Sequence, residues 1–174
     1  PLSHRARQRA LQASPCALAI LLAACGGGSS STDMTAQADS GRVRTMAVPD
    51  TGIALTPVTA TASGSERADL SAAAAIDHDE NTRWGSAFSD DQNLVLDYGR
   101  TVTINRVRID WERAHAASYL LQVSTDGTNW ATIRQVDASQ GGVEDWTGLA
   151  GTGRYLRMQG VKRSTDYGYS IFEI

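Results

Sequence analysis

From Leu94 onward the chain alternates. In "NLVLDYG" the residues Leu94, Leu96 and Tyr98 fall on one side, in "INRVRIDW" Val107, Ile109 and Trp111 do, and in "SYLLQVS" Tyr119, Leu121 and Val123 do. Apolar residues at every second position set one face of each segment against a core and the other in water, which is the pattern of half-buried strands. "STDGTNW", Ser124 to Trp130, places Asp126-Gly127 between two such runs, and "GRYLRMQG" and "YSIFEI" supply later ones. The only stretch with helical character is "RADLSAAAAI", Arg67 to Ile76, which is too short to carry a helical fold. Short strands roughly ten residues apart, separated by turn signals, predict an all-β domain, a sandwich or jelly roll. No internal repeat is visible.

The region before the strands reads differently. From Thr35 to about Leu55 the sequence is polar, punctuated by Gly and Pro and aperiodic, as a linker is. Nearer the start, Arg5, Arg7 and Arg9 precede the apolar run "CALAILLAAC", Cys16 to Cys25, an order that fits a signal peptide. About ten apolar residues are too few to span a bilayer as a helix. A short buried helix is the alternative, although Gly26, Gly27 and Gly28 would end it at once. Leu22-Ala23-Ala24-Cys25 resembles the lipobox of bacterial lipoproteins, in which the cysteine becomes the lipidated first residue, and "GGGSSSTD" behind it has the composition of a flexible tether. A plain secretory signal is the other reading. Either way Cys16 leaves with the signal and Cys25 has no partner for a disulfide in the mature chain. The expected organisation is a signal peptide over 1–24, a tether over 25–54 and a β-domain over 55–174. The expected location is extracytoplasmic, held to a bacterial membrane through Cys25. A first residue that is Pro1 and a last residue, Ile174, inside an apolar run suggest a piece of a longer reading frame.

Composition narrows the partners. The 174 residues, 41% hydrophobic and 20% charged, suffice for one sizeable core. The net charge is −3 and the 16 Lys and Arg are scattered, so nucleic acid is not an expected partner.

Six segments in order carry a resemblance: "AAAAIDHDENTRW", "LVLDYG", "TINRVRIDWE", "YLLQVSTDGTNW", "GRYLRMQG" and "YGYSIFEI". Over Thr59 to Ile174, about 115 residues, the chain resembles the discoidin domain, also called the coagulation factor 5/8 type C domain, in the form of family 32 carbohydrate-binding modules. The resemblance implies an eight-stranded antiparallel jelly-roll β-sandwich of the galactose-binding type, with the last strand nearly complete at Ile174.

The stretch "AIDHDENTRWGS" poses the question of a metal. Asp77-x-Asp79-x-Asn81 mimics the start of an EF-hand loop, but Thr82 stands where the sixth position needs glycine and Phe88 where the twelfth needs a bidentate Glu, so an EF-hand is excluded. In discoidin-like modules the equivalent segment commonly wraps a Ca²⁺ ion. Carried over by position, the resemblance implies carboxylates from Asp77, Asp79 and Glu173, the hydroxyl and carbonyl of Thr82, and the carbonyls of Ala74 and Phe172. A set of hard oxygens suits Ca²⁺ better than Zn²⁺. A solvated acidic loop without metal is the alternative. His78 stands where many relatives have glycine, and its side chain is expected to alter the loop's backbone.

Paired carboxylates such as Glu66 with Glu112, or Glu144 with Asp145, have the composition of a glycosidase pair. No nucleophile elbow, cysteine nucleophile or phosphate loop accompanies them, and His115 has no evident role as a base. Binding is the better expectation. Sugars present C–H faces that stack on rings and hydroxyls that pair with charged groups, so a site needs both kinds. By resemblance to modules attached to chitosanases and glucanases, the matching positions are Glu66, Arg83, Phe88, Glu112, Tyr167 and Tyr169. Trp84, Trp111, Trp130 and Tyr155 extend apolar alternations and are expected in the core, and Arg157 is expected to be a structural partner. Arg83 has a structural ion pair as its alternative role, and Tyr169 an inward-facing place at the start of the last strand. The expected function is a non-catalytic module binding a β-linked polysaccharide, similar to β-glucan or chitosan, and targeting an appended glycoside hydrolase. The competing expectation is an adhesion module for host glycans, proteins or lipid head groups, since the fold does not fix the ligand.

Overall fold

The computed structural model describes residues 52–174. The expected signal peptide, most of the tether and Cys25 lie outside the described residues. The alternating segments form seven strands: β1 Thr59–Ala62, β2 Trp84–Gly85, β3 Asn93–Trp111, β4 Ala116–Ser124, β5 Ala131–Val136, β6 Val143–Arg163 and β7 Ser170–Glu173. β3 and β6 make one long antiparallel ribbon, paired from Asn93 with Gln159 to Asp110 with Val143, with register shifts after Asp97 and after Ile104. Such irregularities bend a strand and raise its twist, which lets it leave one sheet and enter another. At one end the ribbon is flanked by β1 on β3 and by β4 and then β5 on β6. At the other, β7 pairs with β3 and β2 with β7. The two antiparallel layers, β1-β3-β6-β4-β5 and β2-β7-β3-β6, thus share the ribbon, as in the expected jelly-roll sandwich. Seven strands are assigned among the described residues where eight were expected, because β3 and β6 continue through their bulges.

The period of two decides what fills the space between the layers. Leu94, Leu96, Val107, Ile109, Trp111, Tyr119, Leu121 and Val123 are each no more than 5% exposed. Tyr98 is half-buried, and burial pushes its phenol up to about 12. At about 25 cal/mol per Å² of apolar surface, such positions dominate the driving force for folding. The segment Arg67 to Ile76 forms only a 3-10 turn, Ala72–Ala75, without a side-chain cap from Ser71, and it buries Ala72, Ala74 and Ala75.

Trp84 and Trp111 are in the core as expected. Trp130 and Tyr155 are not, and this corrects the expectation. Leu156 and Met158 take the inward positions of β6, so Tyr155 faces outward, half-buried, with the Arg154 guanidinium 5.1 Å from its ring centre. Trp130 sits just before β5, half-buried, with the Arg157 guanidinium 4.1 Å above its ring. Arg157 also donates from Nε and Nη2 to Gln122 Oε1 at 2.9 and 2.7 Å, the structural role expected of it.

One carboxylate reaches between the layers. Glu144 Oε2 accepts from Trp111 Nε1 at 2.8 Å and from the Tyr119 hydroxyl at 2.7 Å, and the Tyr119 oxygen accepts from Trp146 Nε1 at 2.7 Å. Burial, assisted by Glu144, holds the Tyr119 phenol far above its ordinary range. Glu144 and Asp145, imagined above as a pair, are separated by the strand period: Asp145 faces outward, and Arg106 Nε donates to it at 2.7 Å.

Candidate functional site

A cleft of about 370 Å³ opens where the connections after β1, β3 and β6 meet β2 and the start of β7. Its walls carry Glu66, Arg83, Glu112, Arg113, Thr165 and Tyr167, with backbone from Gly85-Ser86 and Gly168-Tyr169-Ser170. Three of the charged residues are held by hydrogen bonds from the frame, Glu66 through its backbone, Arg83 through its side chain and Glu112 through both. Glu66 N donates to Gly85 O at 2.8 Å, which places this loop residue against β2. Arg83 Nε donates to Ser170 Oγ at 2.8 Å, so the guanidinium is aimed by the last strand and not by a carboxylate of its own loop. Glu112 follows β3 directly; its N–H donates to Ser170 O at 3.0 Å and its Oε2 accepts from Ala114 N at 3.0 Å. Ser170 N in turn donates to Ala114 O at 2.8 Å. Buried Ser170 is therefore the post that positions both Arg83 and Glu112. Nothing in the sequence singled it out, because a serine at a strand start has no distinctive pattern.

The aromatic side of the cleft is a pair of rings. Tyr167 is 65% exposed and Phe88 51%. Their centroids lie 5.8 Å apart at an interplanar angle of 89°, an edge-to-face contact. Phe88 lies outside the cleft wall and supports Tyr167 from the side. The two loops come this close because residue 168 is glycine: a Cβ there would stand 2.3 Å from Ser86 O and 2.6 Å from Ser86 Oγ.

Tyr169 requires a correction. Its ring is fully buried, its hydroxyl donates to Asp90 O at 2.6 Å, and it fills the space beside Gly160, where a Cβ would come within 2.1 Å of the ring. It touches the cleft wall but offers no ring face for stacking, which is the inward-facing alternative. Of the six expected residues the fold gathers Glu66, Arg83, Glu112 and Tyr167 in the cleft and Phe88 at its edge. Arg113 and Thr165 were missed; their neighbours Glu112 and Tyr167 were the available signal.

The loop considered for a metal lies against the last strand. Asp77 accepts from the Thr82 hydroxyl at 2.9 Å (Oδ1) and 2.8 Å (Oδ2) and, at Oδ1, from Asp79 N at 3.0 Å. Glu173 Oε1 accepts from His78 N at 2.6 Å, and Ile174 N donates to Ala75 O at 3.0 Å. Burial raises the Glu173 carboxyl pKa. Asp79 Oδ1 accepts from Asn81 N and Nδ2 at 2.9 and 2.8 Å, which lowers its pKa. His78 adopts φ +62°, a left-handed conformation that glycine takes more readily, so a side chain at this position carries local strain. Among the described residues no three His, Cys, Asp or Glu side chains cluster to hold an ion by themselves. The carboxylates of Asp77 and Glu173 and the hydroxyl of Thr82 are hard oxygen donors.

Comparison with known proteins places this geometry. The model of the F5/8 type C domain matches residues 58–174. The crystal structure of chitosan-binding module 1 from the chitosanase/glucanase of Paenibacillus sp. IK-5 is similar at 44% identity, over 69% of this chain and 93% of that one, with a TM-score of 0.65. Module 2 of the same enzyme, solved with chitotriose, is similar at 34% identity over 70% and 96%, with a TM-score of 0.66. A curated relative, the polysaccharide lyase 8 family protein HylA of Enterococcus faecalis, is 36% identical over 70 residues, which are 39% of this chain and only 5% of that protein.

Proposed function

This chain belongs to the F5/8 type C domain family, and from that premise we propose that its cleft is a non-catalytic binding site for a β-linked polysaccharide of the chitosan or β-glucan kind. The observation that carries the reading is the meeting of Glu66 and Glu112 with the exposed Tyr167 ring in one cleft, at whose edge Phe88 packs against that ring. A sugar ring lies its C–H face on the tyrosine while its polar substituents reach the carboxylates and Arg83. An amino sugar gains most, because a protonated amine pairs with a carboxylate through a charge-assisted hydrogen bond. The binding modules of the Paenibacillus enzyme, named for chitosan, support this choice of ligand. The purified protein is expected to be retarded in gels containing soluble chitosan, and to release no reducing sugar from it. Migration unaffected by chitosan and by β-glucan would remove the proposal.

Two further assignments complete the reading. Ca²⁺ would be held by Asp77, Thr82 and Glu173 with the Ala74 and Phe172 carbonyls, where its charge would tie the loop to β7. Cys25 would carry a lipid, presenting the domain outside the cytoplasm at the end of its tether, beside a glycoside hydrolase in the same chain. Detergent partitioning of the bacterially expressed protein, lost in Cys25→Ala, is the expected sign of the anchor; equal solubility of both forms would refute it.

A further inference from the structure

The two rings of the cleft belong to different loops, Phe88 to the one after β2 and Tyr167 to the one after β6. A 5.8 Å edge-to-face contact between two exposed rings is too weak to fix two loops. Ser86 and Tyr169 join the bases of the two loops, Ser86 N donating to Tyr169 O at 2.8 Å and Tyr169 N to Ser86 Oγ at 2.8 Å, and a further tie reaches the segments that carry the rings. Arg163, the last residue of β6, stands between them with its side chain 22% exposed. Toward the first loop it donates to Asp90 Oδ1 from its backbone N at 3.1 Å and from Nε at 2.9 Å. Toward the second, its Nη1 donates to Asp166 O at 2.8 Å and Tyr167 O at 3.3 Å. One planar guanidinium therefore binds a carboxylate on one side and two backbone carbonyls on the other. Lysine lacks the fork geometry for this. The hydrogen bonds from Arg163 hold the Asp90 carboxyl below the usual carboxylate range, as a working clamp requires. Asp90 is bound from behind as well, through its carbonyl, by the buried Tyr169 hydroxyl. Arg163 and Asp90 are not themselves lining residues of the cleft, so their effect on a ligand runs through the Phe88 and Tyr167 loops that they tie.

We propose that Arg163 and Asp90 are positioning residues of the carbohydrate site, a clamp that assembles Phe88 and Tyr167 into one preformed stacking platform. The proposal rests on the reading of the cleft as a sugar site, and goes beyond it by assigning the order of the platform to a pair that makes no contact with the sugar. Ordering two loops in advance removes a cost that binding would otherwise carry.

The experiment compares the wild-type protein with Arg163→Gln, Asp90→Asn and Arg163→Lys by NMR. The ring-to-ring cross-relaxation between Phe88 and Tyr167 is read in the free protein, and the affinity for chitotriose is read by titration. Arg163→Gln and Asp90→Asn are expected to lose the ring-to-ring signal and to weaken binding about tenfold, with the dispersion of the core resonances unchanged. Arg163→Lys is expected to recover only part of both. Persistence of the ring contact in Arg163→Gln and Asp90→Asn would overturn the clamp, as would wild-type affinity in both. If Arg163→Gln unfolds, Asp90→Asn, at a carboxylate 54% exposed, decides by the same two readouts. A wild-type protein that binds no chitotriose would sink the sugar reading alone, because the ring contact of the unliganded protein still tests the clamp.

Discussion

Two carboxylate-aromatic clusters sit in this domain, and they have opposite fates. Inside the sandwich, Glu144 is surrounded by Trp111, Tyr119 and Trp146, and every polar atom of those rings is used within the protein. Arg134 closes the cluster from above, 4.3 Å from the Trp146 ring centre. At the loop end, Glu66 and Glu112 stand beside Tyr167, and there the pairing is left open. Glu112 accepts only from Ala114 N, while among the described residues the Glu66 carboxylate and the Tyr167 hydroxyl have no hydrogen-bond partner in the protein. Residue type alone does not distinguish a structural cluster from a ligand site. The unspent hydrogen-bonding capacity and the uncovered ring face do.

The comparison breaks most visibly in stability. Glu144→Ala leaves the Trp111 indole N–H and the Tyr119 hydroxyl without their acceptor, and a buried polar group stripped of its partner costs roughly 1–3 kcal/mol. The expected loss is about 3 kcal/mol in urea unfolding, with chitosan binding unchanged under folding conditions. A loss below about 0.5 kcal/mol, the usual size of a surface substitution, would mean that the cluster is not structural.

Calcium gives the next effect. A ligand bound only by the folded state stabilises it by about 2.7 kcal/mol at a hundredfold excess over Kd. Chelation is expected to lower the melting temperature by several degrees and added Ca²⁺ to restore it, and Asp77→Asn should remove the response. An unchanged melting curve on chelation of a protein found metal-free by elemental analysis would leave the loop as an ordinary set of Asx turns.

The interior was more legible in sequence than the cleft, for a physical reason. Strand residues face a neighbour of fixed direction, so Leu94, Ile109 and Leu121 announce their burial by alternation alone. The same rule misled at Tyr155, which stands in an apolar-looking run but one position out of phase with Leu156 and Met158. The cleft is assembled from segments far apart in the chain. Glu66, Arg83, Glu112 and Tyr167 became candidates through resemblance, and no local pattern brings them together. Tyr169 shows the limit of that transfer: two residues from Tyr167, it faces inward because Gly160 leaves it a socket. Ser170, which receives the Arg83 guanidinium, and Arg163, which bonds the Asp90 carboxylate and the Asp166 carbonyl, carried no sequence signal at all.

Substitutions of the open cluster reverse the pattern seen for Glu144. Tyr167→Ala removes the exposed ring face, and the loss of one stacking ring, about 1.4 kcal/mol, is a tenfold weaker affinity. Phe88→Ala is expected to cost somewhat less, since that ring only braces Tyr167. Neither belongs to the core, so both melting temperatures should stay within about a degree of wild type, as for surface substitutions. Retained affinity in both, or unfolding in either, would show that the rings serve the fold.

The smallest effect is the one that best separates ligand chemistry from shape. Glu112→Gln preserves the volume of the side chain and its bond from Ala114 N, and removes only the charge. Against a neutral β-glucan the carboxylate serves as an acceptor for hydroxyls, a role that the amide oxygen can partly keep. Against chitosan it faces an ammonium, and the charge-assisted bond is lost. The cleft is open to solvent, so the difference is limited to about 0.2–1 kcal/mol, the range of exposed ion pairs. Expressed as affinity, Glu112→Gln should lose several-fold for chitosan and less for β-glucan. The gap should close as salt is raised, because the Debye length falls from about 10 Å at 0.1 M to about 3 Å at 1 M. The same substitution at Glu144 should show no such salt-dependent gap, since its partners are neutral donors inside the sandwich. Equal losses for the two polysaccharides at every ionic strength would show that Glu112 reads hydroxyls, and the amino sugar would lose its claim to be the preferred ligand.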